Sequence, residues 1–385
     1  MPRRRVPDVA CSIAMPLADC LLYNGRLVLP RAVLEGGAVA VRGGRIHGIF
    51  ERGDRLPSDL PRRDLGGALV SPGLFEFHIH GVEGTRFDDL GSGEPEHEAP
   101  GARSLDSAVE ALLRARAALR SRGVTGFLPT MIYREPGLST LAAAVEAAGL
   151  SETALPGIYL EGPFVSPRRA GRIPRDSIRE PDTRELGRIV NLARGRLRVM
   201  TLAPELPGAR ELEARLSAVG VLPSLGHSDC ALDRITLPEG RFSITHLFNS
   251  MSPFSHREEG LAMLPFVDRR PFVELVGDGR RVNEAALRIC AAAVDPERLM
   301  LVSDAERSVP DPAGSASKSP PLGAELLRTW LKVTGASVPN AVRMLSLTPA
   351  QALGIDDRRG AIAIGLEADL VVWDGEFETV REILD

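Results

Sequence analysis

The sequence predicts an α/β protein: a (β/α)₈ barrel of the TIM type carrying a small β-sandwich domain built from both chain termini. Between about residues 70 and 305, short apolar strand-like runs alternate with helical or looped stretches, and eight such runs can be counted. Returns of that length suit parallel strands, which cannot be joined by tight turns. Both ends of the chain are strand-rich around this long middle. A doubly wound open sheet is the competing architecture for the same alternation.

Residues 1–18 read as a loose extension. Met1-Pro2-Arg3-Arg4-Arg5 followed by apolar residues resembles the start of an export signal, but Pro7, Asp8 and Pro16 interrupt the continuous apolar segment a signal needs. Met15 is an alternative start. From Leu21 to Val70, β-type runs alternate with turns, and Asn24-Gly25 and Gly43-Gly44 are expected as hairpin turns. Residues 19–69 and 357–385, the latter containing AIAIG and ADLVVWDG, form the predicted small domain, and 70–356 the barrel. The eight barrel runs are LVSPGLFEFHIHG, GVTGFLPTM, GIYLEG, RVMTLAPE, VLPSLGHS, FSITHLFN, FVELVGDG and RLMLVSDA. Helices are expected over Ser104–Arg122 with Gly123 as the stop, over Ala209–Val219 and over Asn283–Val294. Residues 82–103 and 305–320, rich in Gly, Pro, Glu and Ser, read as loops.

The 385 residues are 44% apolar and 25% charged, and 47 basic against 51 acidic residues leave a net charge of −4. That balance points to neither a nucleic-acid nor a membrane partner. No apolar run approaches the roughly 18–20 residues of a membrane-spanning helix. Cys11, Cys20, Cys230 and Cys290 lack metal-type spacing and read as reduced thiols of a cytoplasmic protein.

Polar residues gather at the C-terminal ends of the runs: His78 and His80 on the first, Glu161 on the third, His227 on the fifth, His246 on the sixth and Asp304 on the eighth. In a parallel barrel these ends share the face where active sites are built. His78 and His80 flank Ile79, so on a strand both imidazoles point to one side. An isolated His-x-His pair is commonly incidental, and an isolated strand-end carboxylate is commonly a cap. Four of seven histidines on one face, with two carboxylates, instead suit one or two divalent metal ions. Such a centre activates water, and Asp304 is placed to take the proton from that water and deliver it to a leaving amine. The donor types leave zinc, iron, manganese and nickel open.

The chain resembles the N-acetylglucosamine-6-phosphate deacetylase family of the amidohydrolase superfamily over about residues 21–380. The match is carried by Ser71-Pro72-Gly73 through His78-Ile79-His80-Gly81, LEGPF at 160–164, TLAPE at 201–205, Gly226-His227-Ser228 and THLFNSMSPF at 245–254 with His256-Arg257. Asp278-Gly279, LVSDA at 301–305, LTPA at 347–350 and Ala368-Asp369-Leu370 continue it. The resemblance implies a hydrolase acting on a linear amide C–N bond of an N-acyl amino sugar phosphate. It implies that Glu161, His227 and His246 hold one metal, that His78 and His80 can hold a second with Glu161 bridging, and that Asp304 is the general acid/base. Asn249 and Ser250 match sugar-contacting positions, Arg257 a phosphate-binding arginine, and His256 is a further candidate for substrate contact. The family is commonly dimeric, so a homodimer is expected.

Three departures bear on the substrate. The family's histidine after LEGPF is here Ile173. Its DG-x-H motif becomes Asp278-Gly279-Arg280-Arg281, which makes Arg281 a candidate anion contact. Ala313-Gly314-Ser315 follows Ala305 closely, so a covering segment is expected to be shorter. Competing readings are a cyclic-amide hydrolase, against which the fourth run offers no lysine to bridge metals, and a catalytically silent binding homologue. Glu205 and Asp278 read as partners of the ligands rather than ligands.

Overall fold

All eight runs become strands, and their order in space is their order in the chain. They are β1 (Leu74–Ile79), β2 (Val124–Ile132), β3 (Ile158–Glu161), β4 (Leu197–Leu202), β5 (Leu222–Leu225), β6 (Ser243–Ile244), β7 (Phe272–Val276) and β8 (Leu299–Val302). Each neighbouring pair is parallel. The first and last meet through a parallel bridge between Ile79 and Ala305, with Asp304 N–H donating to the His78 carbonyl (2.9 Å) and His80 N–H to the Ala305 carbonyl (2.8 Å). That contact closes the barrel and excludes the open sheet. Strands covered on both faces read as continuous apolar runs, and β1, β2, β3, β5 and β8 are buried throughout. The computed structural model describes residues 17–90, 105–306 and 320–385. Residues 1–16, most of the 82–103 loop and Ala313-Gly314-Ser315 lie outside them.

The helices follow their sequence signals. Leu105–Arg120 buries Ala108, Ala111, Leu112, Ala115 and Leu119 on one face. Gly123 follows it at φ +77°, where an added Cβ would stand 2.1 Å from the Trp373 ring. Helices also span Ala209–Ala218 and Glu284–Ala293; the second is capped by Asn283, whose side-chain oxygen accepts from Ala286 N–H at 3.0 Å. Among the described residues no helix is long and apolar enough to cross a membrane.

Both ends of the chain build one seven-stranded sheet. Leu370–Asp374 pairs antiparallel with Leu69–Pro72, which continues through Gly73 into β1. Gly43-Gly44 turns the hairpin between Val33–Arg42 and Arg45–Phe50, at φ +55° and +69°. Asn24-Gly25 makes no turn, contrary to the sequence expectation. It lies inside the strand Cys20–Val28, where Asn24 at φ +58° accompanies a shift of register between Leu22 and Gly25. A left-handed residue can serve a bulge as well as a hairpin, and the partner strand decides which.

Sheet and barrel are joined by a buried ion pair. The Arg359 guanidinium donates to Asp369 Oδ2 (2.8 Å), Thr125 Oγ1 (2.9 Å) and the Thr153 carbonyl, and Thr125 Oγ1 donates to Asp369 Oδ2 (2.8 Å). Removing one partner of such a pair strands the other charge. Arg359→Met is expected to lower unfolding free energy by about 3–5 kcal/mol in urea titrations. Arg359→Met with Asp369→Leu is expected to cost less than the single change; an equal or greater loss would show that the pair does not carry the junction.

Candidate metal centre

Glu161 ends β3 and projects into the barrel mouth with only 5% of its surface exposed. Its Oε1 stands 2.9 Å from His227 Nε2 and 3.0 Å from His246 Nε2, and those two nitrogens are 3.0 Å apart. Its Oε2 stands 3.4 Å from His80 Nε2, which lies 3.4 Å from His78 Nε2. His78 Nε2 stands 3.9 Å from Oε1, so one carboxylate faces four imidazoles. Ligand atoms about 2.1 Å from a shared ion stand about 3.0 Å apart in octahedral and about 3.4 Å apart in tetrahedral geometry. The separations among Glu161, His227 and His246, and from His80 to Glu161 and His78, fall on those values, while the 3.9 Å from His78 Nε2 to Glu161 Oε1 is wider. The residues fit metal ions, most closely on the His227/His246 side. His78, His80 and Glu161 make one three-donor group, and Glu161, His227 and His246 the other.

Ring nitrogens away from the centre fix which tautomer ligates. The His227 Nδ1–H donates to the Arg169 carbonyl at 2.9 Å, and the His78 Nδ1–H to Glu274 Oε2 at 2.7 Å, leaving both Nε2 lone pairs for a metal. His246 Nδ1 has no hydrogen-bond partner among the described residues. His80 Nδ1 is 3.8 Å from Asp88 Oδ2. Asp304 Oδ1 lies 3.7 Å from both His78 Nε2 and His80 Nε2, on the rim of the cluster. The backbone turns sharply where it delivers these groups: His227, His246, Ser250 and Asp304 have φ of +45°, +25°, +47° and +43°. Non-glycine residues held there store strain, of order 1–3 kcal/mol each.

The other predicted residues occupy different surroundings. Asn249 is partly buried with its Nδ2 unpartnered. Ser250 faces the turn at Gly171, where a Cβ would come within 2.3 Å of Ser250 Oγ and 3.2 Å of His227 Cε1. Gly171, at φ +57°, therefore lets the segment 166–173 lie directly over the centre. His256 and Arg257 are exposed neighbours, with Arg257 Nε donating to His256 Nε2 at 3.3 Å. Arg257 lines a cleft of about 570 Å³ with Arg169, Asp229 and Arg234, and none of the six groups named for the centre lines it. The Arg281 guanidinium is occupied by Asp278 Oδ2 (3.0 Å), Asp304 Oδ2 (2.8 Å) and the Asp304 (2.6 Å) and Ser303 carbonyls. Ile173 packs with Ile132 and Val165 in a small apolar cluster. Glu205 accepts from Ser228 Oγ and Asp229 N–H, both at 2.7 Å, and so braces the turn after His227.

Sequence reasoning missed Glu274, Tyr159 and Glu76, all inside the barrel. Each is a polar residue in a run that otherwise reads as buried strand, and that is itself a signal, because a buried charge needs a partner. Glu76 accepts from Ser303 N–H at 2.9 Å, and burial pushes its carboxyl up to about 8. Burial lifts the Tyr159 phenol well above its ordinary range, which keeps it a donor.

Burial alone would raise the Glu161 carboxyl, but His227, His246 and His80 hold it well below the usual carboxylate range. Burial pushes His80 and His246 down, yet their contacts with Glu161 outweigh it and lift them to about 9 and about 8. Protons on these imidazoles must leave for a metal to bind. Divalent-ion affinity of the metal-stripped protein is therefore expected to fall as pH drops below about 9, more steeply below about 8, with protons released on binding. Calorimetric titration in buffers of differing ionisation enthalpy measures both; an affinity that does not change with pH would contradict the protonated pair.

The sequence matches the model of the amidohydrolase family over residues 242–384. It is 32% identical to the N-acetylglucosamine-6-phosphate deacetylase of Bos taurus, over 89% of this chain and 90% of that one. It is 28% identical to an N-acetylgalactosamine-6-phosphate deacetylase of Escherichia coli O157:H7, over 85% of this chain and 89% of that one. The fold superposes on the N-acetyl-D-glucosamine-6-phosphate deacetylase of Mycobacterium smegmatis, solved as a mutant in complex with N-acetyl-D-glucosamine-6-phosphate, with a TM-score of 0.78 and 27% identity over 95% of this chain and 97% of that one. This chain belongs to the N-acetylglucosamine-6-phosphate deacetylase family of amidohydrolases.

Proposed function

We propose that this chain hydrolyses the amide of an N-acetylated amino sugar 6-phosphate, releasing acetate and the free amine. The observation that carries the reading is the meeting of Glu161 and four imidazoles with Asp304 on their rim, 3.7 Å from two of the ring nitrogens. A divalent ion held by these residues supplies a Lewis acid for the amide carbonyl and lowers the pKa of a water toward neutrality. Asp304 then takes the proton of the attacking water and hands it to the departing nitrogen, which must leave as an amine rather than an amide anion. Arg281 fixes the Asp304 carboxylate by gripping Oδ2 and the backbone carbonyl together, so Oδ1 keeps one orientation. Glu161, His78, His80, His227 and His246 are the residues we assign to metal, with zinc, iron, manganese or nickel all suited to them.

N-acetylglucosamine 6-phosphate is the leading substrate and its galactosamine epimer the alternative. We assign Arg257 to the phosphate, because its exposed guanidinium is free to form a bidentate contact. Asn249 Nδ2, buried without a partner, suits a sugar hydroxyl. We further infer a homodimer working in the cytosol. Phe254 and Val267 are 51% and 68% exposed, and Cys20, Cys230 and Cys290 are free thiols. The cyclic-amide reading has little support, since β4 (LRVMTL) offers no lysine to be carboxylated.

Amine release from both sugar phosphates, and from unphosphorylated N-acetylglucosamine, tests the reading. Metal-loaded protein is expected to turn over a phosphorylated sugar, with Asp304→Asn slower by about 10²–10⁴-fold at unchanged folding. No release from any of the three by protein with metal demonstrably bound would favour the silent homologue. Arg257→Ala is expected to raise KM for the phosphorylated sugar about tenfold or more and to leave kcat within a few-fold, consistent with a lost charge-assisted contact of about 1.5–3 kcal/mol.

A further inference from the structure

The two halves of the centre are braced differently, and the difference is Glu274. On the His227/His246 side, one Nδ1–H donates to a neutral backbone carbonyl and the other Nδ1 has no partner among the described residues. On the His78 side, Nδ1–H donates to a carboxylate that is itself fully buried, at 2.7 Å. Four donors converge on that carboxylate. Tyr159 O–H reaches Oε1 at 2.9 Å and Ser224 O–H the same atom at 3.3 Å, while Thr245 O–H reaches Oε2 at 3.3 Å beside His78. A carboxylate has lone pairs for four donors, whereas an amide oxygen has two. The Tyr159 hydroxyl, 3.0 Å from Thr245 Oγ1 and 3.1 Å from Thr201 Oγ1, locks the group from below.

We propose that Glu274, held by Tyr159, is the positioning residue that makes the His78/His80 half a metal site and the centre binuclear. The inference rests on the metal reading of the cluster. Glu274 keeps the proton on His78 Nδ1, so Nε2 presents its lone pair toward His80 and Glu161, and it adds a negative charge behind the ring that strengthens His78 as a ligand. It is not a ligand itself, because it lies on the Nδ1 side of the ring, away from the facing Nε2 atoms. Two divalent ions bring four positive charges into a buried mouth where Glu161 and Asp304 supply two negative ones, and Glu274 is placed to supply a third. With glutamine at 274, the side-chain NH₂ can turn toward Nδ1, which drives the His78 proton to Nε2 and blocks ligation on that half alone.

Manganese(II) binding by the full metal-stripped chain tests this, using calorimetry for stoichiometry and electron paramagnetic resonance for a spin-coupled pair. The wild type is expected to take up two ions with a coupled signal. Glu274→Gln is expected to keep the first ion within about twofold and to bind the second about 10–100-fold more weakly, losing the coupled signal. Tyr159→Phe is expected to weaken the second ion less than tenfold. Retention of the first ion reports that the variant is folded. Two ions bound by Glu274→Gln at wild-type affinity, or equal weakening of both ions, overturns the role of Glu274 and leaves the metal centre standing. A wild type that takes up no manganese, zinc or iron overturns the metal reading and this inference with it.

Discussion

A carboxylate buried at the mouth of a barrel with four imidazoles around it is unstable unless its charge is met by something positive. Glu161 is that carboxylate, with His227 and His246 against Oε1 and His80 against Oε2. Protons can satisfy the arrangement by charging the imidazoles around Glu161, and for His80 and His246 burial opposes that. Divalent ions satisfy it at every donor at once, and the spacing of the donors suits them. The chemistry expected of the chain follows from that constraint: a Lewis-acidic centre, a carboxylate on its rim, and a segment laid across it through Gly171.

The fold supplies the precision. His78 and His80 come from the first barrel strand and Asp304 from just beyond the last, so they meet only because the barrel closes. The bonds that close it, Asp304 N–H to the His78 carbonyl and His80 N–H to the Ala305 carbonyl, are made by the site residues themselves. The left-handed backbone at His227, His246 and Asp304 is held against its strain by the buried strands on which those residues end. The terminal sheet secures the opposite end of the barrel, through the Arg359–Asp369 pair and the packing of Trp373 on Gly123.

The barrel and the six polar groups of its mouth were legible because both depend on local rules. Apolar strands, helical returns and strand-end histidines can be read within single segments, as can the stop at Gly123. Interactions that join distant segments were not legible. Glu274 is a single charge within an apolar run, and its partner His78 lies 196 residues away in sequence. Arg281 is a candidate anion contact by its place in the DG-x-H motif, and its ion pairs with Asp304 and Asp278 come from distant segments and from its own loop. Asn24-Gly25 carried a turn signal, but the pairing of the strand around it made a bulge. In each case the residue type was informative and its partner lay outside the segment.

Anomalous diffraction from crystals of the metal-loaded protein tests the central claim most directly. The account predicts one ion held by Glu161 with His227 and His246, and another held by Glu161 with His78 and His80. An ion held elsewhere in the barrel mouth, or held by the histidines with Glu161 turned away, would contradict it.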